Sequence, residues 1–134
     1  MENDTLFQKI IRRELPATIL FEDSDTIAFL DIHPVTKGHT LVIPKKPYVW
    51  FDDMPDEELG RLFSTVKKIT KAMKKSLFCD FVQVTIVGQD VPHVHIHLMP
   101  RMLDDGMKTW ETFSYKENEK QDYAKKIISG LTNE

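Results

Sequence analysis

Residues 81–100 read Phe-Val-Gln-Val-Thr-Ile-Val-Gly-Gln-Asp-Val-Pro-His-Val-His-Ile-His-Leu-Met-Pro. Alternating apolar residues over 81–87 and again over 93–100, with Gly-Gln-Asp-Val-Pro between, predict two half-buried strands joined by a turn. On a strand, His93, His95 and His97 share one face, successive imidazoles ~6.6 Å apart, while Val94, Ile96 and Leu98 take the other and belong to the core. Three imidazoles on one face repel one another when protonated, a cost with no structural return. The spacing therefore marks a site. Two chemistries suit it: ligation of a transition metal by neutral imidazoles, or a nucleophilic imidazole attacking phosphorus while its neighbours handle protons and charge. The triad alone does not choose between them.

Working outward, Leu6, Phe7, Ile10 and Ile11 recur at helical spacing within Asp4 to Glu14, behind an Asp or Thr suited to capping, and Pro16 ends that short helix. Thr18–Phe21, Thr26–Ile32 and Thr40–Ile43 are β-branched and apolar, separated by turn-like segments, and predict an antiparallel meander. Pro55 to Leu77 predicts one long helix, with Leu59, Leu62, Phe63, Val66, Ile69 and Met73 on its apolar face and Lys67, Lys68, Lys71, Lys74 and Lys75 off it. After Arg101 an acidic stretch around Trp110 and Phe113 reads as a surface loop, followed by a last helix from about 118 to 131. The expected fold is α+β, an antiparallel meander sheet with one long helix and short terminal helices. One domain over 1–134 is expected, with a core at 5–101 and a C-terminal extension at 102–134.

The chain has 134 residues, near the size of one domain, and 41% apolar and 29% charged residues, a globular balance. Its net charge of −3 supplies no basic field for nucleic acid or anionic lipid. No apolar run suits a signal peptide or a membrane span, so neither nucleic-acid nor membrane partners are expected and the expected location is cytoplasmic. A single cysteine, Cys79, excludes an internal disulfide and a thiolate-built zinc site.

The stretch Phe29-Leu30-Asp31-Ile32-His33-Pro34-Val35-Thr36-Lys37-Gly38-His39-Thr40-Leu41-Val42-Ile43-Pro44-Lys45-Lys46, the Gly88–Pro92 turn and the triad together resemble the histidine-triad (HIT) nucleotide-binding family, most closely its phosphoramidase branch. The family's His-φ-His-φ-His-φ-φ pattern, φ apolar, is met by Val94, Ile96, Leu98 and Met99. The likeness runs from residue 5 to 101. It implies a HIT-like fold, a homodimer whose sheets join, a purine nucleotide substrate and no cofactor.

The resemblance also implies roles. His95 is the nucleophile toward the α-phosphorus, His93 and His97 flank it, and His39 completes the polar network behind them. Asp31 accepts hydrogen bonds from the ribose hydroxyls. Phe7, Ile10, Phe29, Leu30 and Ile32 form the base and ribose pocket, and Gln89 and Asp90 lie near the phosphate or leaving group. The implied activity is cleavage of nucleoside monophosphate conjugates, phosphoramidates or phosphoanhydrides, through a nucleotidyl-histidine intermediate. A dinucleoside polyphosphate hydrolase and a non-catalytic purine nucleotide-binding module remain the alternatives. The chain departs from the family pattern in several places, among them around Pro47, where a histidine often found after the Val-Ile-Pro-Lys segment is replaced. Thr5-Leu6-Phe7-Gln8 stands where many members carry a zinc-binding Cys-x-x-Cys, so no metal is expected. The segment before the triad is short. Asp90 replaces a more usual Ser or Thr.

Overall fold

A computed structural model describes residues 4–88, 90–107 and 110–132. Helix α1 (Leu6–Ile11) begins with a capping box: Gln8 N–H donates to Thr5 Oγ1 at 3.2 Å and Thr5 N–H to Gln8 Oε1 at 2.8 Å. Thr5 and Gln8 are thus committed to starting the helix.

The strands are β1 (Ile19–Glu22), β2 (Thr26–Leu30), β3 (Thr40–Pro44), β4 (Phe81–Thr85) and β5 (Ile96–Arg101). They form one antiparallel sheet in the order β1-β2-β3-β5-β4. The expected meander therefore holds only through β3. After the long crossover the chain takes the outer place with β4 and returns to fill the gap with β5. Burial gives the reason: β5 is buried along almost its whole length, whereas Val84 on β4 is exposed, so the more apolar strand goes inside.

Every residue of β2 and β3 is buried, because both sheet faces are covered. Ala28, Leu30, Val42, Ile96 and Leu98 pack toward helices α2 (Asp56–Leu77) and α3 (Glu119–Thr132), joining Leu62, Val66, Ile69, Met73 and Ile127. Ile27, Phe29, Leu41 and Ile43 point the other way, against Phe7 and Ile10 of α1. Helix α2 starts just after Pro55, has Asp56, Glu57 and Glu58 in its first turn and Lys74 and Lys75 in its last, and so complements its own dipole at both ends. Phe63, expected on its apolar face, is 40% exposed, while Thr65 and Ala72 are buried instead. The stripe is rotated toward α3, the neighbour with which α2 makes its closest packing: a Cβ placed on Gly130 of α3 would lie 2.6 Å from the Ala72 carbonyl oxygen. Among the described residues no helix is long and apolar enough to cross a membrane.

The triad strand is shorter than its alternation predicts. The ladder pairs Thr40 with Leu98, Leu41 with His97 and Val42 with Ile96, and β5 begins only at Ile96. His93, Val94 and His95 run before it in irregular backbone, because β3 ends at Pro44, which has no N–H to offer the ladder. The Pro44 carbonyl accepts the His93 side chain, and Val94 N–H donates to the Tyr48 carbonyl at 2.8 Å.

Candidate functional site

Alternation carries past the strand ends. His39 is in phase with Leu41 and Ile43, and Asp31 with Ile27 and Phe29, so both fall on the α1 face, where His97 lies opposite Leu41. Asp31 N–H donates to the His39 carbonyl at 2.9 Å, which ties the two segments together. Val94, Ile96 and Leu98 enter the opposite core as their spacing predicts.

Backbone partners set the tautomer of each imidazole. Val35 N–H donates to His39 Nδ1 at 3.0 Å, so the neutral ring carries its proton on Nε2. That Nε2–H donates to His97 Nδ1 at 2.9 Å, which in turn puts the His97 proton on its Nε2. The His97 Nε2–H is buried and has no partner among the described residues. His93 Nε2–H donates to the Pro44 carbonyl at 2.7 Å, leaving its Nδ1 unpartnered. His95 Nδ1–H donates to the His93 carbonyl at 2.7 Å, so in the neutral ring Nε2 holds a free lone pair.

Burial keeps three of these rings neutral. The His39 pKa is pushed down to about 3 by loss of solvent and by the neighbouring His97. That of His97 is lowered to about 4, by burial first and then by His95, against a smaller upward pull from Asp90. Burial also lowers His93, partly offset by the bond to Pro44. Asp31 is shifted upward by burial, opposed by the His33 N–H that donates to its Oδ1 at 2.9 Å and by His33 and His95.

A cavity of about 500 Å³ opens on this face. Phe7, Ile10, Phe29, Leu30, Asp31, Ile32, Asp90, His95 and His97, all named from the sequence, line it together. Phe7, Ile10, Phe29 and Leu30 are at the same time core residues, and Ile32 is an exposed rim residue. His93 and His39 sit behind the wall, fully buried, and Gln89 lies outside the described residues. Phe7 packs edge-on against His95, the rings inclined at 70° with centroids 5.0 Å apart.

Sequence reasoning missed part of the lining. Leu41 was signalled by its phase with His39, and His33, given no role, reaches the wall beside Asp31. Trp110 and Thr112 also line the cavity, although their segment reads only as a surface loop. The Trp110 ring stands perpendicular to His97 at 5.0 Å and to His39 at 6.0 Å. A tryptophan alone in an acidic stretch was the available signal.

Asp31, His39 and His97 offer ligand atoms all within 4.8 Å of one another, the spacing of a metal cluster. The hydrogen bonding opposes that use. Ligation through His39 Nε2 would move the ring proton to Nδ1, where the Val35 N–H already points. Two donors would then face each other in a buried place, so this set does not fit a metal ion.

Comparison with known proteins agrees with this architecture. A family model described as the HIT domain matches residues 12–103. An uncharacterised HIT-like protein of Methanocaldococcus jannaschii is 48% identical over 105 residues, covering 75% of this chain and 81% of that one. An adenosine 5′-monophosphoramidase of Saccharomyces cerevisiae is 41% identical over 98 residues, 72% of this chain and 61% of that one. The crystal structure of a Hit-like protein from Bartonella henselae superposes with a TM-score of 0.86 at 38% identity, over 96% of this chain and 97% of that one. With the HIT model spanning the sheet from β1 through β5, and with this identity to relatives of similar length, the chain belongs to the HIT family.

Proposed function

We propose that the protein is a nucleotide hydrolase or transferase that cleaves conjugates of purine nucleoside monophosphates through a nucleotidyl intermediate on His95. The observation that carries this reading is the bond from His95 Nδ1–H to the His93 carbonyl, which leaves Nε2 as a bare lone pair on a residue lining the cavity. Nε2 attacks the α-phosphorus, a P–N bond to an amine or a P–O bond breaks, and the departing group takes a proton from solvent. Water then attacks the phosphoimidazole, returns neutral His95 and releases the monophosphate. Splitting the displacement in two lowers each barrier.

The His97 Nε2–H, held by the chain from Val35 through His39, is the donor for a phosphate oxygen and meets its charge without delivering a second proton. Asp31 accepts from the ribose hydroxyls, and the purine lies among Phe7, Ile10 and Phe29. The similarity to the yeast phosphoramidase favours amines as leaving groups. β4 is an outer strand whose second edge has no strand partner among the described residues, with Val84 exposed on it. Pairing of that edge with a second copy gives the homodimer that the family resemblance implies.

Incubation with an adenosine 5′-phosphoramidate in EDTA tests the reading. Release of AMP at an undiminished rate is expected. Binding of AMP without turnover of phosphoramidates, mixed anhydrides or dinucleoside polyphosphates would overturn it in favour of a binding module, and loss of turnover on chelation would overturn the metal-free mechanism.

A further inference from the structure

Among the described residues lining the cavity there is no lysine or arginine, although the proposed substrate is an anion. The charges that do face it are the carboxylates of Asp31 and Asp90, with His33 at the rim. Asp31 is tied to the His39 backbone and to the His33 N–H, on the ribose side of the site in the reading above. Asp90 is different. It is exposed on the turn that leads into the triad, and its charge is felt at both His97 and Asp31.

His97 is also where Trp110 sits, centroid to centroid 5.0 Å. Trp110 is 45% exposed although it lines the cavity, so part of its ring is open to an occupant. One buried imidazole, carrying an unpartnered N–H, thus has an aromatic ring packed on it and a carboxylate within electrostatic range. An aromatic surface and a carboxylate attract the same thing, a cation. A pyrophosphate or polyphosphate leaving group would bring two or more negative charges to Asp90, and no basic side chain among the described residues lining the cavity meets them.

We propose that Asp90 and Trp110 form a leaving-group subsite that selects amines carrying a second, positively charged group. The inference rests on the function proposed above and names the leaving-group class for that same site. The nucleotide supplies the binding common to all substrates, and the subsite ranks what is attached to it. Asp90 acts by charge and Trp110 by the attraction of its ring for a cation. Neither takes part in breaking the P–N bond.

Three adenosine 5′-phosphoramidates test this, built on one alkyl tether ending in an ammonium, a methyl or a carboxylate group. For the wild-type protein kcat/KM is expected to fall in that order, with about tenfold between the ends, as suits an ion pair and a ring contact open to solvent. Asp90→Asn should shrink the ammonium-to-carboxylate ratio to within about twofold. Trp110→Leu should lower the ammonium-to-methyl ratio about threefold. Ratios taken within one preparation are independent of the fraction of folded protein. Equal rates on all three substrates in the wild type, or an Asp90→Asn protein that keeps the order, would overturn the subsite and leave the hydrolase reading standing. Failure of the wild type to cleave any of the three would overturn the subsite; the hydrolase reading falls with it only if mixed anhydrides and dinucleoside polyphosphates are left intact as well.

Discussion

Two segments meet at His97, and they are held in opposite ways. Residues 93–101 are buried nearly throughout, and His93 and His95 are each bonded to a backbone carbonyl while His97 is reached through a chain that begins at the Val35 N–H. The extension after Arg101 places Trp110 and Phe113 half in solvent. It is fastened by Phe113 N–H to the Pro34 carbonyl at 2.8 Å, by Gly38 N–H to the Tyr115 hydroxyl at 3.0 Å and by the Lys37–Glu119 ion pair at 2.7 Å. Among the described residues it joins the main core in α3, through Ala124 and Ile127. An exposed ion pair contributes at most about 1 kcal/mol, whereas full burial of an isoleucine contributes roughly 2 kcal/mol. His95 is therefore held by the main chain, and the Trp110 ring on His97 by a segment anchored at its far end. On the proposed function, such a division would let leaving groups vary while His95 Nε2 keeps its orientation.

The largest effect should come from the first segment. His95→Ala is expected to lower kcat by several powers of ten while the thermal transition stays cooperative, because Val94 and Ile96 carry the core face. Steady-state rates and a thermal melt measure the two halves of that statement. A variant with near wild-type kcat would break the contrast.

Acidification should also act on that segment. His39 and His97 have folded-state pKa values of about 3 and about 4, below the ordinary 6.5, so the unfolded chain binds more protons between those limits. Their contribution to stability is complete above pH 6.5 and is lost as the pH falls toward 4. The midpoint of thermal unfolding should drop from pH 7 to pH 5. A flat profile over that range would show that the imidazoles are not held neutral by burial.

A smaller effect is expected from loosening the anchor. In Gly130→Ala the new methyl group meets the Ala72 carbonyl oxygen at 2.6 Å and the Ala72 Cα at 2.9 Å, so α2 and α3 must separate. A loss of about 1–3 kcal/mol in urea unfolding is expected. Unchanged stability would mean that the helices part freely and that the extension is less firmly anchored than the contact indicates.

The parts that were legible in the sequence are those fixed by local periodicity. The phase of His93, His95 and His97 against Val94, Ile96 and Leu98 gave the site face, and an Asp or Thr ahead of Leu6 and Phe7 marked the start of α1. What was not legible depends on residues distant in the chain. The late start of β5 follows from Pro44, far away on the neighbouring strand. The inner position of β5 follows from competition between two strands for one slot, and the exposure of Phe63 from the direction in which α3 approaches. Trp110 reaches the histidines through a loop whose path is set by single bonds to Pro34 and Gly38. No pattern within residues 102–118 encodes those partners.

The central claim is that His95 Nε2 forms a bond to phosphorus. Mixing the protein with an adenosine 5′-phosphoramidate, quenching within the first turnover in alkaline denaturant and sequencing the peptides by mass spectrometry tests it directly. An adenylyl group is expected on His95, forming before free AMP accumulates and absent from His95→Ala. Steady turnover with no adduct, or an adduct on His93 or His97 in its place, would contradict it.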